Sequence, residues 1–209
     1  MVEKLKDILY QPGASGGRGF SQTEIDLLSN YYELVLKWNP RLHLTTLIQP
    51  QTFFDRHIFE SAFSASMLLP SVDQIWDLGS GLGAPGMILA ILRPDLSVHL
   101  VEASRKKALF LEEAAFSLGL RNVSVIESRF ETIEDLAESS CLTARAIEEM
   151  ERLIPKILKL GEQASQILIF GASQLEAIAR RYLPPNQQIE LHLIPNSTQR
   201  YIINIFCST

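Results

Sequence analysis

Apolar residues recur three or four apart at Ile25, Leu28, Tyr32, Val35 and Trp38, and ahead of them Ser21 and Glu24 stand at the spacing of a capping box. The pattern predicts a helix that opens at Ser21 and stops at Pro40. A second helical run is predicted over 52–69, with Phe53, Phe54, Ile58, Phe63 and Leu68 toward its buried side. Before both, Gln11–Gly19 holds four of the chain's eleven glycines and reads as a loop, with helix starting only after it. From Gln74 the pattern changes to short apolar runs alternating with helical stretches, the signature of βαβ units. It predicts strands near 74–78, 97–102, 123–126, 141–144 and 166–170, and helices near 86–92, 104–118, 147–160 and 172–182. At the end, 188–194 and 199–206 flank Pro195, Asn196, Ser197 and Thr198 and read as an antiparallel pair joined by a turn. The expected architecture is α/β and Rossmann-like, a doubly wound and mostly parallel sheet closed by an antiparallel C-terminal hairpin. Residues 1–70 form a helical extension to it, and 71–209 form one compact domain.

Composition narrows the class. The 209 residues are 46% hydrophobic and 21% charged, with no apolar run approaching the roughly 20 residues that span a bilayer. No membrane partner is expected. The first residues mix Lys4 and Lys6 with Glu3 and Asp7 and do not read as a secretion signal. Cys141 and Cys207 lie far apart without CxxC spacing or nearby His pairs, so neither a disulfide framework nor a metal site is expected, and the cytoplasm is the default compartment. A monomer is expected. The net charge of −5 gives no general attraction to a polyanion and counts against nucleic acid, although a local basic face can act on an acidic protein.

The strongest chemical signal is the run Asp77-Leu78-Gly79-Ser80-Gly81-Leu82-Gly83-Ala84-Pro85-Gly86, set between a predicted strand and a predicted helix. Glycines there let the backbone turn sharply and approach a ligand that a Cβ would push away. Gly81–Gly86 also fits GxGxxG, and Glu102 ends the next strand, where a carboxylate can accept both ribose hydroxyls of an adenosine. NAD and S-adenosyl-L-methionine are both candidates on this ground. Asp77, two residues ahead of Gly79, favours the second, because an acid there can face a methionine ammonium and would repel a pyrophosphate. The closing hairpin favours it too, since the dinucleotide fold is all parallel.

Beyond the loop, the chain resembles the glucose-inhibited division B type methyltransferases, which methylate N7 of a guanine in bacterial small-subunit ribosomal RNA. The resemblance is carried by Lys37-Trp38-Asn39 with Leu44-Thr45, by Arg56-His57-Ile58-Phe59-Glu60-Ser61, and by the glycine loop. It continues through Glu102 to Lys107 with Phe110-Leu111, Ser128-Arg129-Phe130-Glu131, Ala144-Arg145-Ala146, and Arg200 at the last strand. It implies a class I S-adenosylmethionine-dependent fold and a cofactor pocket formed by Gly79, Gly81, Ala84, Phe130, Glu131 and Arg145, with Asp77 and Glu102 in the carboxylate places. On the RNA side it implies Arg145 and Arg200 as the acting residues, joined by His57, Arg105, Lys106, Lys107 and Arg129, with ribosomal RNA or the small ribosomal subunit as partner. Three positions depart from the family pattern: Ala84 replaces a larger apolar residue, Ser140 an Asp, and Phe170 the Lys of a Lys-Gly pair.

Guanine N7 carries a free lone pair at neutral pH, so no general base or triad is needed and placement can supply much of the rate. Arg145 or Arg200 is expected to contact guanine O6 or a flanking phosphate while leaving N7 open, with Glu131 near the positive charge that forms. Alternatives remain at this level: a methyltransferase for a small molecule or protein, a nicotinamide-dependent oxidoreductase, and a non-catalytic protein on the same fold. Bland readings stand beside several residues: Trp38 as a core anchor, His57 as a packed residue, Arg105 to Lys107 as a solvated face, and Glu60 and Ser61 as local hydrogen-bonders.

Overall fold

The computed structural model describes residues 1–14, 19–147 and 149–207. At its centre are seven strands, β1 Gln74–Leu78, β2 Ser97–Glu102, β3 Val123–Glu127, β4 Ser140–Arg145, β5 Gln166–Gly171, β6 Ile189–Leu193 and β7 Tyr201–Phe206. Their order in the sheet is β3-β2-β1-β4-β5-β7-β6. The first five strands run parallel, and β7 lies antiparallel between β5 and β6. The chain winds outward from β1 in both directions, first to β2 and β3 and then to β4 and β5, so a crevice opens outside the carboxyl ends of β1 and β4.

The two faces of the sheet are covered unequally. Alternate strand residues such as Ile75, Leu100, Cys141 and Ile202 pack under α1 Val2–Leu9, α2 Gln22–Leu42, α5 Gly86–Leu92 and α6 Arg105–Ser117. The other set, including Leu78, Leu142, Ile169 and Ile203, packs under α7 Met150–Leu160 and α8 Gln174–Arg180. Leu5, Tyr31 and Phe53 share one buried cluster with Leu100 and Ile202, so the segment before residue 70 and the sheet have a common core.

The predicted strands are all present, with ends shifted by one or two residues. The helices differ more. Val2–Leu9 is an unexpected helix: Leu5 and Leu9, one turn apart, are buried, and this single apolar stripe was too short to stand out among charged neighbours. The expected loop after it lies partly outside the described residues. α2 begins at the predicted capping box, where Ser21 N–H donates to Glu24 Oε2 at 2.7 Å and Glu24 N–H donates to Ser21 Oγ at 3.3 Å. It runs past Pro40 to Leu42, because a proline in the last turn forfeits little more than one backbone bond. α7 starts at Met150 and not at 147, since Ala146 and Glu149 have φ of 50° and 55°, outside the helical region; position 148 of that prediction lies outside the described residues.

The helical run predicted over 52–69 is divided. It consists of α3 Pro50–Phe53, a π-helical turn Phe54–Phe59, and α4 Glu60–Ala65. A π turn inserts one residue into the helix, a device frequently found at functional sites. Here it leads directly into Glu60.

Candidate active site

The crevice at β1 and β4 is built from the glycine loop. Ser80 N–H donates to the Val101 carbonyl at 3.0 Å, and Gly83 N–H donates to the Ser80 carbonyl at 2.7 Å, so the loop turns back against β2. Gly79 has φ of 66°, and a Cβ there would sit 3.1 Å from Ile147 Cγ1 across the groove. Gly86, at the start of α5, lies so close to β1 and β2 that a Cβ would meet Leu100 at 2.4 Å and Asp77 at 2.8 Å. The first glycine keeps the groove open, and the second seats the helix on the sheet. Tyr31 in α2 donates its hydroxyl to the Leu82 carbonyl at 2.5 Å and pins the loop from the other side.

The two acids take different parts. Glu102 accepts from Gly81 N–H and Ser104 N–H, both at 2.8 Å, and its carboxylate lies in the groove wall. Each oxygen retains a lone pair for a hydroxyl donor. Asp77 was expected to face the cofactor ammonium. It lies instead beneath the loop, outside the groove lining, where Oδ1 accepts from Thr143 Oγ1 at 2.7 Å and Oδ2 from Gly86 N–H at 3.3 Å. Burial pushes its pKa up to about 6 against the pull of these bonds. Its carboxylate is spent on joining β1, β4 and α5.

The groove has a volume of about 960 Å³ and brings together Gly79, Gly81, Ala84, Glu102, Phe130 and Arg145, with Glu131 and two of the expected RNA-side cations, Lys107 and Arg129, also in its wall. Glu131 is tied to Lys156 at 3.1 Å, so its carboxylate is less available to a developing positive charge than expected. Arg105 and Lys106 stand exposed at the start of α6 and do not line the groove. His57 is 4% exposed, and Nε2 contacts Thr45 Oγ1 at 3.1 Å. Burial, and then Arg145, Arg56 and Arg200, lower its pKa to about 2, so the ring is neutral and packed inside the protein, not on its surface as an RNA contact would require. Trp38 packs edge-on against Phe110, as the core reading anticipated. Of the departing positions, Phe170 is buried in the sheet core, and Ser140 opens β4 with a buried hydroxyl that has no partner among the described residues.

Arg200 is not in this groove. It lines a second cavity of about 920 Å³, bounded by the π turn, the end of β5 and the turn between β6 and β7. In its wall stands Glu60, 1% exposed. Its Oε1 receives Arg200 Nε at 2.5 Å and Arg56 Nε at 3.1 Å. Its Oε2 receives Arg200 Nη2 at 2.6 Å and lies 3.5 Å from Arg145 Nη2. The sequence reading gave Glu60 only a local role and Arg56 none beyond its place in the motif; their i,i+4 spacing was the one available signal, and nothing linear connects them to residues 145 and 200. Arg145 is buried with an Nη1 that has no hydrogen-bond partner among the described residues, and desolvation lowers its pKa to about 10, still charged at neutral pH. Among the described residues no cluster of His, Cys, Asp and Glu is placed to hold a metal, and no helix is long and apolar enough to cross a membrane.

A parallel sheet centred on β1, a reversed β7 and a glycine-floored groove at the carboxyl edge define a class I methyltransferase fold. Solved structures with this fold include the 23S rRNA methyltransferase ErmE, with a TM-score of 0.56 at 14% identity over 74% of this chain and 69% of that one. The METTL16 methyltransferase domain gives a TM-score of 0.57 at 11% identity over 99% of this chain and 89% of that one. At such identities the likeness concerns the fold alone. Sequence goes further: the family model described as rRNA small subunit methyltransferase G matches residues 24–195, and the chain belongs to that family. Relatives named Ribosomal RNA small subunit methyltransferase G include one from Dichelobacter nodosus, 32% identical over 84% of this chain and 83% of its own length. Another, from Nitrosomonas europaea, is 38% identical over 71% of this chain and 69% of its own length.

Proposed function

We propose that the chain binds S-adenosylmethionine in the glycine-floored groove and transfers its methyl group to N7 of a guanine in small-subunit ribosomal RNA, in the cytoplasm. The observation that carries this reading is the pairing of Glu102 and Arg145 across one groove, within a family whose relatives are named for methylation of that RNA. The residues fit the cofactor. Glu102 offers free lone pairs to ribose hydroxyls, the backbone of Gly79 and Gly81 leaves room for a close approach, and Phe130 offers apolar surface to an adenine ring. Nη1 of Arg145 has no acceptor among the described residues, and an anionic or carbonyl oxygen in the groove supplies one.

When bound, the cofactor supplies an electrophilic methyl on sulfur: the N7 lone pair forms the new N–C bond, the S–C bond breaks, and its electron pair stays on sulfur. No proton has to be removed from N7, so the protein's task is orientation. Placing the two centres in line within about 3–3.5 Å contributes several kcal/mol. Arg145, on β4 beside the loop, is placed to hold guanine O6 and leave N7 open. The buried Asp77, with its pKa near 6, acts indirectly by keeping the loop, β4 and α5 in register.

Incubation with labelled S-adenosylmethionine and unmodified small-subunit RNA or particles, followed by mapping of the label, tests the reading. One labelled guanine, methylated at N7, is the expected result. A chain that binds the donor but leaves RNA unlabelled would overturn it.

A further inference from the structure

The second cavity opens at the same edge of the sheet as the donor groove, beside the end of β5, and Glu60 in its wall is ion-paired at 3.5 Å with Arg145 of the donor groove. That carboxylate accepts three hydrogen bonds from Arg56 and Arg200 and is ion-paired with Arg145 at 3.5 Å, three arginines at positions 56, 145 and 200. Arg56 uses only Nε on Glu60, and Arg200 uses Nε and Nη2, so both Nη groups of Arg56 and Nη1 of Arg200 have no protein partner among the described residues. Both side chains are partly exposed, at 38% and 26%, and both line the cavity. Asp55 lies in the same wall and accepts from Gln51 Nε2 at 2.9 Å. The charges in the cavity wall, Arg56 and Arg200 against Glu60 and Asp55, balance, and Arg145 behind Glu60 leaves one positive charge over the whole cluster, enough for a single phosphate and too little for a general polyanion track.

We propose that this cavity receives a phosphate of the acceptor RNA, next to the base to be methylated, on the free guanidinium edges of Arg56 and Arg200. Glu60 is the positioning residue that holds those edges in fixed relation to Arg145 in the donor groove. The inference rests on the RNA methyl-transfer reading for its substrate. It explains how a chain of net charge −5 addresses RNA: phosphate contacts set the register of the strand, and a few well-placed cations suffice for that. It also gives the Glu60 cluster a function, because an Arg–carboxylate fork fixes a guanidinium in plane and direction, which solvated lysines do not.

The test uses the full-length chain with unmodified small-subunit RNA, read three ways: donor affinity by calorimetry, RNA affinity as a function of salt, and kcat and KM for RNA. Arg200→Gln is expected to raise KM for RNA about tenfold or more, and to lower the log–log salt slope by about one, with donor affinity within about twofold of wild type. Arg56→Gln gives the same pattern more weakly, and Arg200→Lys restores the slope but not the KM, because a point charge does not reproduce the fork. Glu60→Gln keeps all three cations and frees them, so kcat falls about a hundredfold while KM for RNA stays level or tightens. A merely structural role for Glu60 would instead weaken donor binding, RNA binding and turnover together, and that result overturns the positioning assignment. If Glu60→Gln fails to fold, the arginine variants decide: an unchanged KM and an unchanged salt slope in both overturn the phosphate site. A wild-type chain that methylates no RNA, yet loses RNA affinity and salt slope with Arg200→Gln, sinks the methyl-transfer reading and leaves the phosphate site standing.

Discussion

The two cavities at the carboxyl edge of the sheet are made in different ways. The donor groove has a floor of main chain, a loop of ten consecutive residues bent by glycines and tied to the adjacent strand by Glu102. The second cavity is organised by side chains at positions 56, 60, 145 and 200, drawn from the π turn, α4, β4 and the β6–β7 turn. A site made of backbone is robust to most single substitutions outside its glycines, whereas one centred on a buried charge depends on that charge. Breaking an ion cluster by removing its central member leaves the partners uncompensated.

The contrast can be tested at four points. Glu60→Ala is expected to have the largest effect, a loss of about 3–5 kcal/mol of folding stability by urea titration, since three guanidiniums lose their common acceptor; a loss under 1 kcal/mol would show that water already satisfies them. Glu102→Ala comes next, weakening S-adenosylmethionine binding by about 2–3 kcal/mol, or roughly 30- to 100-fold in Kd by calorimetry. An unchanged Kd would move the ribose elsewhere. Gly79→Ala should cost about 1–2 kcal/mol of stability, because the new Cβ takes a left-handed conformation and crowds Ile147. Thermal unfolding checks it, and an unaltered Tm would mean the loop relaxes.

The smallest effect is a pH slope. His57 has its pKa lowered to about 2, so the fold favours its neutral form; that contribution is complete above pH 6.5 and is lost as pH falls toward 2. Asp77 has its pKa raised to about 6, so its contribution is present below pH 3.8 and is lost as pH rises through 6. The two oppose each other between pH 4 and 6. Stability of His57→Gln measured by urea at pH 6.5 and 5.5 should therefore lack a fall of about 1 kcal/mol assignable to the imidazole. Asp77→Asn, by contrast, should show a steeper acid loss than wild type. Parallel slopes in both variants would remove either group from the account.

Legibility in the sequence followed the same division. The strands, the reversed hairpin and the glycine loop were readable because each is a local pattern, a period of two, a turn cluster or a run of glycines beside a strand. Gly79, Gly81, Ala84, Glu102, Phe130, Glu131 and Arg145 do meet in one groove. Asp77 was read by its proximity to the loop, but strand alternation turns its side chain inward toward Thr143. His57 read as a candidate through its motif, while its burial follows from the helix face it occupies. Beyond the i,i+4 spacing of Arg56 and Glu60, the Glu60 cluster had no linear trace, since the folded chain brings together four positions spread over 145 residues of sequence.

The π turn at Phe54–Phe59 makes length itself a constraint. An α-helix turns by ~100° per residue, so deleting one residue anywhere in that hexapeptide, and letting it wind as ordinary helix, would swing the downstream carboxylate about a quarter of the way round the axis. Every side chain could be retained and the arginines would still lose their common acceptor. Comparison of natural variants should accordingly find substitutions in this stretch but no insertions or deletions, a rule about counting that concerns spacing and not chemistry.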